Sequence, residues 1–306
     1  MLTVAKTKSR GQEKSLRPRG FCTIRAVSEL RAGCATARSR FLVVAGLRLH
    51  LLEWGEAGRP GLLFLHGGSA HAHWFDAVAP AFAGRFHVVS LDQRGHGESE
   101  WASPPAYGTE QFAADMLGVL DALGWERAIV VGHSMGGHNA MAFAAWHPGR
   151  TRALVIVDSR PAIPEERLGQ MHRRGERAPR RHPTIESAVA SFRLLPRETV
   201  ADPALLAHLA RAGIVRRDGG WVYRFDPDCN RLRRPVDGWP LLGRIRAPAL
   251  VLRGELSPIL PRDMAERVTG AIEGAELVEI PGAYHHVVLD APAAFTAAVE
   301  EFLPRI

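Results

Sequence analysis

The pentapeptide Gly132-His133-Ser134-Met135-Gly136 follows a β-rich run, Arg127–Val131, and precedes a helical run, Asn139–Trp146. A serine hydroxyl is a weak nucleophile unless it is held exposed beside a base. A strand–turn–helix with flanking glycines holds it so, because the serine then sits on a sharp turn free of steric clash. The N-terminus of the following helix favours negative charge developing at that turn. The bare pattern is weak, but its place within an alternating β/α chain makes Ser134 the candidate nucleophile.

A carbonyl attacked by serine becomes an oxyanion and needs N–H donors. Leu65-His66-Gly67-Gly68 ends the run Leu62–Leu65, where a backbone amide can turn toward Ser134. The amides of Gly68 and Met135 are the candidate oxyanion hole, each such donor being worth about 2.7–4 kcal/mol. His66 reads as structural. His71 and His73 receive no catalytic role, because loop histidines are more often solvated or hydrogen-bonded than catalytic. A general base is expected in Pro281-Gly282-Ala283-Tyr284-His285-His286, after the last strand and before a terminal helix, Ala291–Leu303. Imidazole takes and returns a proton near neutral pH, as both halves of acyl transfer require. Chemistry alone leaves the choice between the two adjacent histidines open.

These groups need a scaffold. From Phe41 onward, short apolar runs alternate with turn signals and helical segments, the layout of a mostly parallel sheet covered by helices. Eight strands are predicted: an opening hairpin of Phe41–Ala45 and Leu47–Trp54, then Leu62–Leu65, Phe86–Leu91, Arg127–Val131, Ala153–Asp158, Ala249–Arg253 and Glu276–Ile280. Continuous apolar runs mark the later ones as buried on both faces. A helix with Phe112, Met116, Leu120 and Leu123 at helical spacing is expected to be capped by Thr109 and ended by Gly124, with Asp115 and Asp121 in solvent. The alternation lapses between Asp158 and Pro248. This Arg-rich stretch, with helices expected at Glu186–Leu195 and Pro203–Ala212 and aromatics at Trp221, Tyr223 and Phe225, reads as an inserted helical lid. The expected organisation is a basic N-terminal extension over 1–40, a core of 41–159 and 247–306, and a cap over 160–246.

Charge is uneven along the 306 residues. The formal net charge is +7, yet residues 1–40 hold ten Lys or Arg against two Glu, and 160–246 hold eighteen Arg against ten acids, so the remaining body is acidic. The first segment holds all three lysines, Lys6, Lys8 and Lys14, lacks apolar periodicity and is expected to be disordered. Apart from Phe21 it has no aromatic interleaving, which argues against a single-strand nucleic-acid arm. No apolar stretch approaches the roughly 20 residues of a membrane span, and no secretory signal is recognisable, so cytoplasm is the expected compartment. Cys22, Cys34 and Cys229 are odd in number and widely spaced, as reduced thiols would be.

The motifs Gly132–Gly136, His66-Gly67, Gly282–His285 and the turn Asp92-Gln93-Arg94-Gly95-His96-Gly97-Glu98-Ser99 resemble the α/β-hydrolase family over residues 41–306. The resemblance implies His285 rather than His286 as base, since the family histidine follows a Gly-x-Gly-like turn. It also implies that Asp92–Ser99 is architectural. The commonest family acid lies in a Gly-x-x-Asp after the strand at Ala249–Arg253, but that stretch here reads Gly254-Glu255-Leu256-Ser257, and a serine cannot orient an imidazole by charge. Some relatives carry the acid at the end of the preceding strand, where this chain has Asp158. Asp158 is therefore the expected acid and Glu255 the runner-up, giving the family order Ser134, Asp158, His285.

The strand-end Asp together with Arg-Gly-x-x-Ser resembles the subgroup that contains small-molecule esterases and the acetamidomethylene-succinate hydrolase. The expected activity is hydrolysis of a small ester, thioester, amide or lactone through an acyl-serine, without metal or cofactor. A carboxylate-bearing substrate would suit the basic insertion. Carbon–carbon bond hydrolysis of a diketone and ligand binding without turnover are the alternatives. A serine nucleophile argues against dehalogenase or epoxide-hydrolase chemistry, because relatives of those kinds use aspartate at that position.

Overall fold

The computed structural model describes residues 37–303, so the calls on residues 1–36, including Phe21, Cys22, Cys34 and the lysines, lie outside the described residues. An eight-stranded sheet comprises β1 (Arg38–Val44), β2 (Leu47–Trp54), β3 (Gly61–Leu65), β4 (His87–Leu91), β5 (Ala128–His133), β6 (Thr151–Val157) and two later strands, β9 (Ala249–Gly254) and β10 (Glu276–Ile280). Between β6 and β9 lies a two-stranded sheet of β7 (Ile214–Arg217) and β8 (Gly220–Tyr223). The large sheet has the order β1-β2-β4-β3-β5-β6-β9-β10. Its first two pairings, β1 with β2 and β2 with β4, are antiparallel and the rest parallel. The eight strands expected from the apolar runs are all present, most with an end shifted by one to three residues.

Alternation within the strands divides the core in two. Leu62, Phe64, Val88, Ile129, Val131, Val155 and Val157 face one side, where they pack with Phe75, Phe82 and Phe295. Leu63, Leu65, Val89, Val130, Leu154 and Ile156 face the other and pack with Met116, Leu120, Met141, Phe143 and Val268. Strands covered on both faces have no polar side to show, which is why they read as unbroken apolar runs. The covering helices are α1 (Thr109–Ala122), α2 (Met135–Trp146), α6 (Arg262–Gly270) and α7 (Pro292–Phe302).

The chain runs from β3 to β4 on one side and then crosses β3 to reach β5 on the other. Strand direction is shared but winding reverses there, so the C-terminal ends of β3 and β5 open a crevice, the usual place for ligands in such sheets. Both candidate loops, His66–Gly68 and Gly132–Gly136, leave the sheet at this crevice.

The stretch between β6 and β9 contributes no strand to the large sheet. It forms α3 (Glu165–Gly175), α4 (Ile185–Ser191) and α5 (Pro203–Ala212), and it also carries the β7–β8 hairpin. Asp218 and Gly219 both take positive φ, 49° and 79°, the backbone that a tight two-residue hairpin turn demands. Phe192, Trp221 and Tyr223 pack with α4 around Ala188 and Ala210.

Two local expectations are corrected. Gly108, not Thr109, is the N-cap of α1, because the Thr109 hydroxyl is engaged by the Val236 N–H at 3.3 Å. Asp115 is buried rather than solvated: the Arg94 guanidinium donates to both its oxygens at 2.6 Å. Burying an arginine in the Asp92–Ser99 turn requires a counter-ion, and α1 supplies it. Asp121 is exposed as expected and pairs with Arg150. Among the described residues no helix is long and apolar enough to cross a membrane.

Candidate active site

Ser134 sits between β5 and α2 with φ 52° and ψ −114°, a strained backbone for a residue with a Cβ. The surroundings impose it. A Cβ on Gly132 would overlap the backbone of Gly136, one on Gly136 would overlap the Leu65 carbonyl, and one on Gly137 would lie 2.6 Å from Ser159 Cβ. The turn is pinned by the Ser134 N–H donating to Val157 O at 3.0 Å and by the Ser159 hydroxyl donating to Ser134 O at 2.6 Å. The side chain remains partly exposed.

His285 follows β10 and the Gly282 turn, where φ is 69°. Its Nε2 lies 3.1 Å from Ser134 Oγ and its Nδ1 lies 2.7 Å from Asp158 Oδ2. Burial, the neighbouring His286 and the charge of Arg167 hold its pKa well below the usual imidazole range, so the ring is a neutral base at pH 7 with a lone pair toward the serine. Asp158 stands at the end of β6, fully buried. Burial pushes its carboxyl up, and the Ser257 hydroxyl and Gly254 amide pull against that by donating to the carboxylate. Ser257 Oγ donates to Oδ2 at 2.6 Å and Gly254 N–H to Oδ1 at 3.1 Å.

The structure thus brings Ser134, His285 and Asp158 into one hydrogen-bonded line. Glu255, the runner-up acid, is exposed and accepts from the Gly282 amide at 2.8 Å, away from the imidazole. Sequence reasoning missed the part played by Ser257. The signal was a hydroxyl standing where the commonest pattern has its acid.

Opposite the serine, the loop after β3 comes close: a Cβ on Gly67 would be 3.3 Å from Ser134 Cβ, and one on Gly68 would be 3.9 Å from Met135 Sδ. Met135 is the first residue of α2, so its amide has no acceptor within the helix. His66 is buried and structural: Nδ1 donates to Gly67 O at 2.7 Å and Nε2 accepts the Gln93 N–H at 3.0 Å. Gln93 returns a bond to His66 O at 2.8 Å. Asp92 likewise organises the turn, accepting from Ala72 N at 2.5 Å, His50 Nδ1 at 2.7 Å and Glu98 N at 2.8 Å. His286 is bonded through Nε2 to Pro196 O at 3.0 Å, which ties the histidine loop to the inserted stretch. Asp290 strengthens this tie. Its Oδ2 accepts the Tyr284 N–H at 2.9 Å, and its Oδ1 accepts from Val200 N at 3.1 Å and from the Thr199 hydroxyl.

Three arginines of the inserted stretch stand out. Arg160 stands two residues beyond Asp158, with a buried Nε that meets no partner among the described residues. Arg167 on α3 bears electrostatically on His285. Arg233 is fully buried; only its Nη2 finds an acceptor, Asn139 Oδ1 at 3.4 Å, while Nε and Nη1 have none among the described residues. Burial pulls its pKa down to about 10. An apolar cavity of about 290 Å³ lies within the insertion, lined by Phe192, Leu194, Leu206 and neighbours; no triad residue lines it.

An eight-stranded, mostly parallel sheet with a serine on a strained strand–helix turn defines a hydrolase of the α/β fold. The chain belongs to the alpha/beta hydrolase family, whose model matches residues 62–299. It is 26% identical over 270 residues to the 2-(acetamidomethylene)succinate hydrolase of Mesorhizobium japonicum, covering 87% of this chain and 95% of that protein. It is 28% identical over 268 residues to the 2-hydroxy-6-oxononadienedioate/2-hydroxy-6-oxononatrienedioate hydrolase of Paraburkholderia xenovorans, covering 84% and 91%. Among solved structures, that of an E-2-(acetamidomethylene)succinate hydrolase superposes with a TM-score of 0.79 at 26% identity, covering 88% of this chain and 99% of that one.

Proposed function

We propose that this hydrolase cleaves a small, carboxylate-bearing ester, thioester, amide or lactone through an acyl-Ser134 intermediate. The observation that carries the reading is the line from Ser134 Oγ to His285 Nε2, 3.1 Å, and from His285 Nδ1 to Asp158, 2.7 Å. Ser134 Oγ attacks the carbonyl carbon while its proton passes to His285 Nε2. The imidazolium is steadied by the Asp158 carboxylate. The carbonyl oxygen takes the electron pair and is held by the Gly68 and Met135 amides. As the carbonyl re-forms, the leaving group departs with the proton from His285. Water repeats the sequence against the acyl-serine, with His285 again as base, releasing the acid and free Ser134.

Carboxylate preference is supported by Arg160, Arg167 and Arg233, for which no carboxylate partner is found among the described residues. Of the three, Arg233 is fully buried, Arg160 half-buried and Arg167 exposed; a buried cation without a counter-ion is costly, and an anionic substrate would supply one. The stretch 160–246, which carries all three, is proposed as a cap over the site.

The test is labelling with a fluorophosphonate, followed by turnover of aryl acetate against mono-aryl succinate. Ser134→Ala abolishes labelling, and Arg160→Gln raises KM for the succinate ester at least about tenfold with little change for the acetate. Labelling that survives Ser134→Ala would end the proposal.

A second reading is carbon–carbon bond hydrolysis, favoured by the similarity to the dienedioate hydrolase, which also acts on a dicarboxylate by name. Rapid cleavage of a vinylogous diketone dicarboxylate with slow aryl ester turnover would select it.

A further inference from the structure

A second cluster of potential ligands lies outside the triad. His73 belongs to the short helical turn Ala72–Phe75 and Asp76 ends it, so the two side chains, three residues apart, share one side of a turn. His208 reaches them from α5 in the insertion. Asp76 Oδ2 is 2.8 Å from His73 Nδ1 and 2.8 Å from His208 Nε2. The two rings are nearly perpendicular, 84° with centroids 5.9 Å apart, so their nitrogens converge on one point without stacking.

Two details are poorly explained by hydrogen bonding alone. Both imidazoles crowd onto one carboxylate oxygen, while the other, Asp76 Oδ1, is buried with no partner among the described residues. Buried lone pairs ordinarily find a donor or a cation. The three donor atoms also lie within 4.8 Å of one another. Zinc bonds of about 2.0–2.1 Å to His nitrogen and carboxylate oxygen set tetrahedral donors roughly 3.3 Å apart, so small side-chain rotations suffice to admit an ion. His73, Asp76 and His208 keep 32%, 24% and 36% of their side chains exposed, leaving a fourth position open to water.

We propose that His73, Asp76 and His208 form a divalent transition-metal site, matched to zinc by its two imidazoles and one carboxylate, that fastens α5 of the insertion to the turn after β3. The ion is a tether: it joins two segments 132 residues apart in sequence and takes no part in chemistry at Ser134.

The experiment titrates Zn2+ into the full chain, freed of metal with a chelator, by calorimetry, and follows trypsin cleavage of the Arg-rich insertion in parallel. One equivalent is expected to bind and to slow cleavage there. His208→Gln and Asp76→Asn, with far-UV circular dichroism unchanged, each weaken binding at least about tenfold and remove the protection. His73→Gln serves if either variant fails to fold. Absence of binding to the wild-type chain at micromolar Zn2+ would overturn the proposal. So would binding that is equally tight in the variants, or that blocks fluorophosphonate labelling, since the ion would then sit elsewhere, as at His133, His285 and His286.

Discussion

Ser257 Oγ donates a 2.6 Å hydrogen bond to Asp158 Oδ2, the same oxygen that receives His285 Nδ1. The serine is itself fixed, because its oxygen accepts the Ile259 N–H at 3.1 Å. A residue in the position where the commonest family pattern has its acid thus holds the acid supplied by the neighbouring strand. A charge-assisted bond of this kind is worth about 1.5–3 kcal/mol. Ser257→Ala is expected to lower kcat roughly tenfold while leaving KM near its original value, measured on a short aryl ester.

Asp158→Asn removes the charge that steadies the imidazolium and presents the wrong hydrogen-bond partner to Nδ1. Turnover should fall by about 10³–10⁴-fold. Glu255→Gln, whose parent carboxylate accepts from the exposed Gly282 amide, should stay within roughly threefold of wild type. Parallel kinetics on the two variants check this, and the opposite ranking would transfer the acid role to Glu255.

His285 must be neutral to accept the serine proton, and burial keeps its pKa well below the usual range. Turnover also needs the Asp158 carboxylate, which burial pushes up to about 7, so the acid limb of kcat/KM is expected near neutral pH and belongs to the His285–Asp158 pair. A pH–rate profile on a substrate without titrating groups reads it directly. A midpoint near about 4, the ordinary carboxylate value, would contradict the assignment.

Stability should fall on acidification. Burial lowers His66 to about 3 and His71, His96 and His138 to about 4. Each unfolded imidazole, with a pKa near 6.5, binds protons that its folded counterpart refuses. The unfolded state thus gains protons between those values, and stability declines as pH drops from about 6.5 toward 4. Asp158, pushed up to about 7, acts in the opposite sense across this window, as do the raised Asp115 and His73, but the four histidines are joined by the lowered His133, His285 and His286, so the fall prevails. Thermal melts from pH 7.5 to 4.5 should show a steady fall in Tm.

Gly136→Ala would drive a methyl group into the Leu65 carbonyl. Neither backbone can yield without moving β3 or the Ser134 turn, so a loss of about 1–3 kcal/mol is expected, together with most of the fluorophosphonate reactivity. Chemical denaturation and labelling rates measure the two effects separately.

What could be read from the chain followed from how local each cause is. Leu62–Leu65, Ala128–Val131 and Ala153–Val157 announce themselves because strands buried on both faces leave no polar residues in the run. The Ser134 turn was visible because its glycines are required within five residues. Asp115 was misjudged because its partner, Arg94, is 21 residues away on another element, and no helical periodicity reports a distant guanidinium. The Asp218–Gly219 hairpin hid inside a helical stretch because its strands are only four residues long. Asp76 and His208 met only through tertiary packing.

Asp290 grips the backbone of Tyr284, next to the base, with one oxygen and the Thr199–Val200 segment of the insertion with the other. Lifting that segment away from the sheet must first break this grip, and the break slackens the loop on which His285 rides. The seating of the inserted segment and the alignment of the imidazole are therefore coupled through one carboxylate.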